Sequence, residues 1–139
     1  MATTTASAAQ STAPAYNNVN GTITRIVTYT IVASASAGDV IQMVKVPMGA
    51  IVSSVRFAMN GHSGVLTVNV GDGNDVSAYA ASVVLSGSAV ALASIPSRGI
   101  GRSYSAEDTI DITFSTVTSA SAVGSVRLTV FYTNGMSGV

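Results

Sequence analysis

The sequence contains no cysteine and no tryptophan, and it has one histidine, His62. Without cysteine there is no disulfide framework, no thiolate zinc site and no thiol nucleophile. His62 lies between Gly61 and Ser63, and the chain has no G-x-S-x-G turn to hold a serine beside it. We therefore expect an exposed loop histidine rather than a catalytic one.

Charged side chains are also scarce. They make up 9% of the 139 residues, where about 25% is usual, and six basic against six acidic residues give a formal net charge of 0. A chain without a basic surplus lacks the surface that neutralises phosphates, so we expect no nucleic-acid partner. So weakly charged a surface is poorly protected against association, and we expect neighbouring subunits to cover part of it.

Two kinds of segment that direct a chain to a membrane are missing. The N-terminal run MATTTASAAQSTA has neither the basic nor the apolar region of a secretory signal. No apolar run approaches the ~20 residues that cross a bilayer. We expect a soluble or assembled protein with no membrane partner.

The N-terminal segment differs in composition from the rest. Eleven of its first 13 residues are Ala, Ser or Thr, which leaves nothing large enough to build a core. This composition predicts an extended or flexible arm over residues 1–21, followed by a single β-domain over residues 22–139. Tyr16 is a possible anchor of the arm on a partner.

From Thr22 onward the apolar residues alternate with period two, and β-branched residues dominate, which is typical of strands. The predicted strands are Thr22–Ala33, Val40–Val46, Ala50–Met59, Val65–Gly71, Ser82–Leu85, Ala89–Ala93, Thr109–Ser115 and Val126–Thr133. About eight strands without a helix indicate an all-β, two-sheet β-sandwich. A jelly roll is the favoured topology, and an immunoglobulin-like Greek key stays open because the sequence does not show strand order.

The same alternation predicts which side chains share a face. It places Val40 on the side of Val44 and Val46, and it places Ile51 on the side of Val55. In the strand Thr109–Ser115 it points Asp111 toward solvent.

The run GDGND, Gly71 to Asp75, is the most chemically suggestive stretch. A calcium loop of the EF-hand type matches only at Asp72 and Asn74, because Val76 and Val83 occupy later ligand positions. A looser oxygen cage from Asp72, Asn74 and Asp75 is a weak metal candidate. A tight turn, in which the carboxylates accept hydrogen bonds from backbone amides, is the favoured interpretation.

The remaining acidic residues do not indicate catalysis. Glu107, Asp108 and Asp111 are the other acidic cluster, but neighbouring residues of a strand point to opposite sides. With 6% aromatic residues and no tryptophan, the chain offers little to stack a sugar between paired carboxylates. We expect no catalytic residues, no cofactor and no enzymatic activity.

Basic residues lie mostly in predicted strands, whereas acidic residues lie mostly in turns. This arrangement would allow basic side chains on a strand face of one subunit to pair with acidic side chains in a turn of another. The candidate partner-binding residues are Tyr16, Arg25, Lys45, Arg56, Arg98 and Arg102.

Four segments carry a family resemblance. They are GDVIQMVKVPMGAIVSSVRFAM (Gly38–Met59), LTVNVGDGND (Leu66–Asp75), AEDTIDITF (Ala106–Phe114) and GSVRLTVFYT (Gly124–Thr133). Together they resemble small virion structural proteins of tailed bacteriophages, the head decoration, cement or auxiliary proteins. The resemblance implies a compact, commonly trimeric β-domain on the outer capsid surface, assembled in the host cytoplasm. Its expected partners are further copies of itself and the major capsid protein.

Two other functions stay open at this stage. One is a different virion component, such as a head fibre, tail or adaptor protein. The other is a carbohydrate-binding adhesin module that uses the loops Asn60 to Gly64 and Gly71 to Asp75.

Overall fold

The computed structural model describes residues 3–5, 21–31, 35–60, 65–86, 91–94, 101–117 and 124–134, and within these ranges the chain forms strands and no helix. The strands are β1 (Thr3–Thr5), β2 (Thr22–Ile31), β3 (Val40–Val46), β4 (Ala50–Asn60), β5 (Val65–Asp72), β6 (Ala80–Ser86), β7 (Ala91–Ser94), β8 (Asp108–Val117) and β9 (Gly124–Asn134). The described residues thus offer no helix with the length and apolarity that a bilayer crossing requires.

The strands form two sheets that together make a β-sandwich. One sheet has the order β1-β3-β8-β5-β6, and the other has the order β2-β9-β4-β7. Four antiparallel pairs nest inside one another along the chain: β2 with β9, β3 with β8, β4 with β7, and β5 with β6. This nesting is that of a long hairpin rolled into two four-stranded sheets, which is the eight-stranded jelly roll.

The strand order confirms the predicted fold class and decides between the two topologies that the sequence left open. The jelly roll is correct, and the immunoglobulin-like alternative is wrong, because the strands from β2 to β9 pair in the four nested pairs of a rolled hairpin. β1 lies outside the four nested pairs. It pairs in parallel with β3, Thr3 opposite Val40 and Thr5 opposite Gln42, at the edge of its sheet.

The core lies between the two sheets and contains side chains from both. As the period-two pattern predicts, Leu66, Val68 and Val70 of β5 are buried, and Ile110, Ile112 and Phe114 of β8 are buried beside them. The facing sheet contributes Val55, Phe57, Met59, Val126, Leu128, Val130 and Tyr132. Each such side chain contributes roughly 1.5–3 kcal/mol by its removal from water.

A β-bulge in β3 overturns one face prediction. The β3–β8 register shifts between Gln42 and Val44, which inserts Met43 as an extra residue. Before the bulge Ile41 points into the core and Val40 is half-buried, whereas after it Val44 is buried. The prediction that Val40 and Val44 share a side is therefore wrong.

A second bulge, in β4, has the same effect. The β4–β9 register shifts between Val52 and Ser54, so Ser53 is the extra residue. Val52 is buried and Ile51 is exposed, while Val55 beyond the bulge is buried. Ile51 and Val55 therefore lie on opposite faces, contrary to the period-two prediction.

Part of the predicted N-terminal arm is described by the structure. Thr3–Thr5 form β1, and β2 begins at Thr22 as expected. The rest of the arm between β1 and Gly21, including Tyr16, lies outside the described residues. The division into an arm over residues 1–21 and one domain over residues 22–139 stays a prediction.

Candidate functional site

Asp72 is the last residue of β5, and its position follows from the strand's alternation. Leu66, Val68 and Val70 point into the core, and Asp72 continues the same face at the end of the sandwich. Its exposed fraction is 2%, so a carboxylate lies where the pattern places an apolar side chain. A buried carboxylate is costly unless it is paired and hydrogen-bonded, so its partners determine what this end of the molecule does.

The GDGND run folds into a tight turn around that carboxylate. Asp72 Oδ1 accepts hydrogen bonds from the amides of Asn74 at 3.0 Å and Asp75 at 2.9 Å. Asp75 Oδ1 accepts two more, from the amide of Ser77 at 2.9 Å and its hydroxyl at 3.1 Å. The prediction that these carboxylates accept hydrogen bonds from turn amides is confirmed.

The turn folds back tightly on Gly71. A Cβ at this position would lie 2.1 Å from the carbonyl oxygen of Asp75 and 2.3 Å from the carbonyl carbon of Val76. Both are backbone atoms, so the turn would have to move to admit any side chain. Glycine is required here for close approach of two backbone segments.

Two side chains from one segment reach the Asp72 carboxylate. Arg102 donates from Nε to Oδ2 at 2.6 Å and from Nη2 to Oδ1 at 3.1 Å, and the Tyr104 hydroxyl donates to Oδ2 at 3.0 Å. The Tyr104 hydroxyl also shares a hydrogen bond of 2.5 Å with the hydroxyl of Tyr79, which is buried beside it. We call Asp72, Tyr79, Arg102 and Tyr104 the Asp72 cluster.

The Asp72 cluster joins the two sheets. Residues 101–104 run beside the start of β4, where the amide of Tyr104 donates to the carbonyl of Ala50 and the amide of Val52 donates to the carbonyl of Arg102. β4 belongs to the four-stranded sheet, whereas Asp72 ends a strand of the five-stranded sheet. The cluster is thus a polar cross-link between the sheets at one end of the sandwich.

The electrostatics of the cluster keep it ionised. Burial opposes the charge on Asp72, but hydrogen bonds from Arg102, the turn amides and Tyr104 outweigh it and hold the pKa of the carboxyl below its usual range. The hydrogen bond to Asp72 raises the pKa of Arg102. Burial raises the pKa of Tyr79 to about 12 and raises that of Tyr104 as well, so both phenols stay protonated.

This arrangement removes the main ligand of the weak metal candidate. The two oxygens of Asp72 already accept five hydrogen bonds, which exceeds the roughly four lone-pair positions of a carboxylate. The amides of Asn74 and Asp75 donate to the Asp72 carboxylate, and the carbonyl oxygen of Asp75 accepts a hydrogen bond from the Asp72 amide. In the part of the chain that the structure describes, no three His, Cys, Asp or Glu residues come together as a metal site.

Asp111 departs from its prediction. It lies on the face of β8 opposite Ile110 and Ile112, as expected, but its exposed fraction is 7% rather than that of a solvent-facing residue. Its strand neighbours are Gln42 of β3 and Gly71 of β5, and its Oδ1 has no hydrogen-bond partner among the described residues. Burial raises the pKa of this carboxyl to about 7, with further increases from the charges of Asp108 and Asp72.

A polar cleft opens beside the Asp72 cluster. It is lined by Asp72, Gly73, Asn74 and the segment Arg102 to Asp108. Glu107 on its rim forms an ion pair of 3.4 Å with Lys45, and both side chains are partly exposed. Within this cleft hydrogen bonds hold Asp72, Arg102 and Tyr104 together, and Glu107 is paired with Lys45, which is an arrangement for rigidity.

The outer face of the four-stranded sheet is different in character. Arg56 lies over the ring of Phe131, 5.4 Å from its centroid, and Ile26 is 62% exposed although it is a large aliphatic residue. Arg127 is exposed on the adjoining strand. We call this surface the arginine face; it is formed by Thr24, Ile26, Arg56, Ala58, Arg127, Thr129 and Phe131.

The predicted partner-binding residues lie in separate places. Arg56 is on the arginine face and Lys45 on the other sheet, while Arg102 is turned inward to Asp72. Arg25 is half-buried and alternates with the exposed Thr24 and Ile26, so it shares the side of the inward residues of β2. Tyr16, Arg98 and the loop around His62 lie outside the described residues.

The sequence reasoning missed several residues that the structure brings together. The sequence pattern gives no sign that Tyr79 and Tyr104 belong to a site, and it identifies Ile26, Arg127 and Phe131 only as strand residues. The alternation of β5 does give one indication: Asp72 falls on the same face as Leu66, Val68 and Val70. A carboxylate on this inward face needs a cation as a partner. Nothing local in the sequence indicates that Arg102 supplies that cation.

The fold is similar to that of chains in two solved phage capsid structures. One belongs to "Capsid of Ralstonia phage GP4", with a TM-score of 0.78 and 17% identity, and the match covers 98% of this chain and 100% of that chain. The other belongs to "Cyanophage Pam1 capsid asymmetric unit", with a TM-score of 0.63, 22% identity and coverage of 88% and 91%. No protein-family model and no curated protein matches the sequence. At these identities the similarity establishes a common fold.

Proposed function

We propose that this protein is a tailed-phage virion structural protein, and specifically a capsid decoration or cement protein. It is non-enzymatic, binds the outer surface of the shell as a homotrimer, and bridges neighbouring major capsid subunits. The observation that carries the proposal is the agreement of nearly the whole chain with a whole chain from a phage capsid structure. A match over both full lengths argues that the entire molecule, and not a shared submodule, is adapted to that setting.

The composition and the Asp72 cluster support the same role. A protein that binds an assembled shell in preference to free subunits stabilises the shell by mass action, and it needs no catalytic pocket to do so. It does need a rigid body that keeps several contact surfaces in fixed relation. The cross-link from Asp72 to Arg102 and Tyr104 supplies such rigidity between the two sheets.

The weakly charged surface supports extensive contact with neighbours. Because only 9% of the residues are charged, few charged side chains lose their water when other subunits cover the protein. In this proposal the contact surfaces include the arginine face and the predicted arm, with Tyr16 and Arg98 as further candidates. The protein assembles with the shell in the host cytoplasm and remains on the outside of the virion.

Localisation on particles tests the proposal and separates it from other virion roles. Particles reconstructed with and without the protein should differ by density that tiles the outer shell at three-fold or quasi-three-fold positions. Density confined to one vertex would indicate an adaptor or portal-associated protein, and density on the tail or on thin projections would indicate a tail or fibre protein. Absence from particles, together with calcium-dependent binding to a glycan array, would support the adhesin function instead.

A further inference from the structure

Charged residues are segregated between the two sheets. The four strands of the sheet β2-β9-β4-β7 contain three arginines, Arg25, Arg56 and Arg127, and no aspartate or glutamate. All six acidic residues of the chain lie in the other sheet or in the segments that adjoin its strands: Asp39, Asp72, Asp75, Glu107, Asp108 and Asp111. The first sheet is thus free of acidic residues and carries Arg56 and Arg127 on its outer face, whereas on the other side the six acidic residues outnumber the described basic ones, Lys45 and Arg102.

The arginine face has the features of an interface core with a charged rim. Ile26 is 62% exposed, and Thr129 lies between it and Arg56 in the strand register. Arg56 is held over Phe131, which leaves the edge of its guanidinium free to meet a carboxylate. Arg127 lies in the next row, between Thr28 and Ala58. An exposed aliphatic residue near two arginines, one of them stacked on an aromatic ring, fits a partner with carboxylates around an apolar spot.

The cleft beside the Asp72 cluster carries carboxylates of the kind that the arginine face would bind. Glu107 and Asp108 lie on the rim of the cleft beside the Asp72 cluster, with Asp75 in the adjoining turn. Arg102 is committed to Asp72, and Lys45, which pairs with Glu107 in a partly exposed contact of 3.4 Å, is the described cation beside these rim carboxylates. A concave, acidic rim accepts an arginine side chain, because charge-assisted hydrogen bonds to carboxylates are the strong ones.

We infer that the arginine face of one copy docks against the acidic cleft rim of the next copy. The contact is head to tail, so two different surfaces meet at each interface, and a closed rotation gives a ring in which every copy uses both. The inference rests on the proposed function in one respect: a decoration protein that acts as an oligomer needs copies that associate with one another. It names the two surfaces, which the fold similarity does not address.

Matched single substitutions test the apolar part of the contact. Ile26 and Val84 are aliphatic strand residues of nearly equal exposure, 62% and 63%, on opposite sheets. Ile26→Glu should raise the dissociation constant of the oligomer in sedimentation equilibrium at least ~10-fold, equivalent to about 1.4 kcal/mol. Val84→Glu should change it by less than about twofold. Equal effects of the two substitutions, or a larger effect of Val84→Glu, would overturn the inference.

A charge-exchange experiment tests the pairing of the two surfaces. The double variants Arg56→Glu/Arg127→Glu and Glu107→Arg/Asp108→Arg should each lose self-association while retaining the wild-type far-UV circular dichroism spectrum. Mixed in equal amounts, they should associate again, because each supplies the surface that the other lacks. Association of the mixture should weaken as salt is raised from 50 mM to about 500 mM, since exposed charges are screened. No recovery in the mixture, or wild-type association of either variant alone, would contradict the proposed contact.

Shell binding separates this inference from the proposed function. The variants and the wild type are added to particles that lack the protein, and the bound amount is measured. If the charge variants self-associate normally but tile the shell less, the arginine face contacts the shell and the head-to-tail inference is wrong. If wild-type protein does not bind the shell while charge exchange restores self-association, the inference stands and the decoration function fails.

Discussion

The guanidinium of Arg102 meets the buried carboxylate of Asp72 at two points, Nε to Oδ2 at 2.6 Å and Nη2 to Oδ1 at 3.1 Å. The two residues are thirty positions apart and belong to segments that pack on different sheets. Their ion pair therefore links two distant segments of the fold, as a disulfide does in other small domains. This chain has no cysteine to form one. It fixes the end of the sandwich where the acidic cleft lies.

Removal of Arg102 should destabilise the fold strongly. Arg102→Ala leaves the Asp72 carboxylate buried without its cation, and breaking one partner of a buried pair costs about 3–5 kcal/mol. Arg127→Ala is the control, because Arg127 is exposed, and it should cost less than about 0.5 kcal/mol. Urea denaturation of the two variants measures both costs. Equal losses would show that the Arg102–Asp72 pair adds no more stability than a surface charge.

Gly71 and Gly73 should respond differently to the same substitution. Gly71→Ala places a Cβ 2.1 Å from a backbone oxygen, so the turn must open, and we expect a loss of several kcal/mol or failure to fold. Gly73→Ala brings a Cβ to 3.2 Å from Asp108 Oδ1, the end of a side chain that can rotate away, and should cost about 1 kcal/mol or less. Thermal denaturation compares them. A Gly71→Ala protein as stable as wild type would mean that the turn does not pack as described.

Asp111 should make stability fall as pH rises from about 4 to about 7. The unfolded carboxyl has a pKa of about 3.9, and burial raises the pKa of the folded group to about 7, so in this window the folded chain holds a proton that the unfolded chain has released. This difference in pKa between the folded and the unfolded chain, about three, corresponds to at most about 4 kcal/mol of folding free energy. Asp72, whose pKa is lowered, affects stability only at more acidic pH, where it is protonated.

Asp111→Asn isolates this effect. The amide keeps the shape of the carboxyl but does not titrate, so the variant should match the wild type near pH 4.5 and exceed it near pH 8. Urea midpoints at both pH values provide the measurement. A wild-type slope in Asp111→Asn would show that Asp111 does not titrate in this window.

Much of the fold follows from alternation alone. β5 and β9 keep an uninterrupted period of two, as does β8 up to Phe114, and the apolar residues buried there are those that the sequence predicts. β3 and β4 each contain a bulge, at Met43 and Ser53, and after each bulge the inward parity changes. A bulge is fixed by the partner strand, so a single strand's sequence does not disclose it.

Less of the site than of the fold could be predicted from the sequence, for a related reason. The turn around Asp72 could be predicted, because its hydrogen bonds join residues two and three positions apart. The partners Arg102 and Tyr104 come from a distant segment that reaches Asp72 only through pairing with β4. The burial of Asp111 depends likewise on its neighbours across the sheet. Long-range contacts of this kind are properties of the topology.

The temperature at which particles release their DNA tests the decoration function most directly. Particles lacking the protein are heated with and without added wild-type protein, and a fluorescent dye reports released DNA. We expect that added protein binds in a saturable manner and raises the release temperature, since a ligand of the assembled shell stabilises it. An unchanged release temperature at saturating protein would contradict the decoration function.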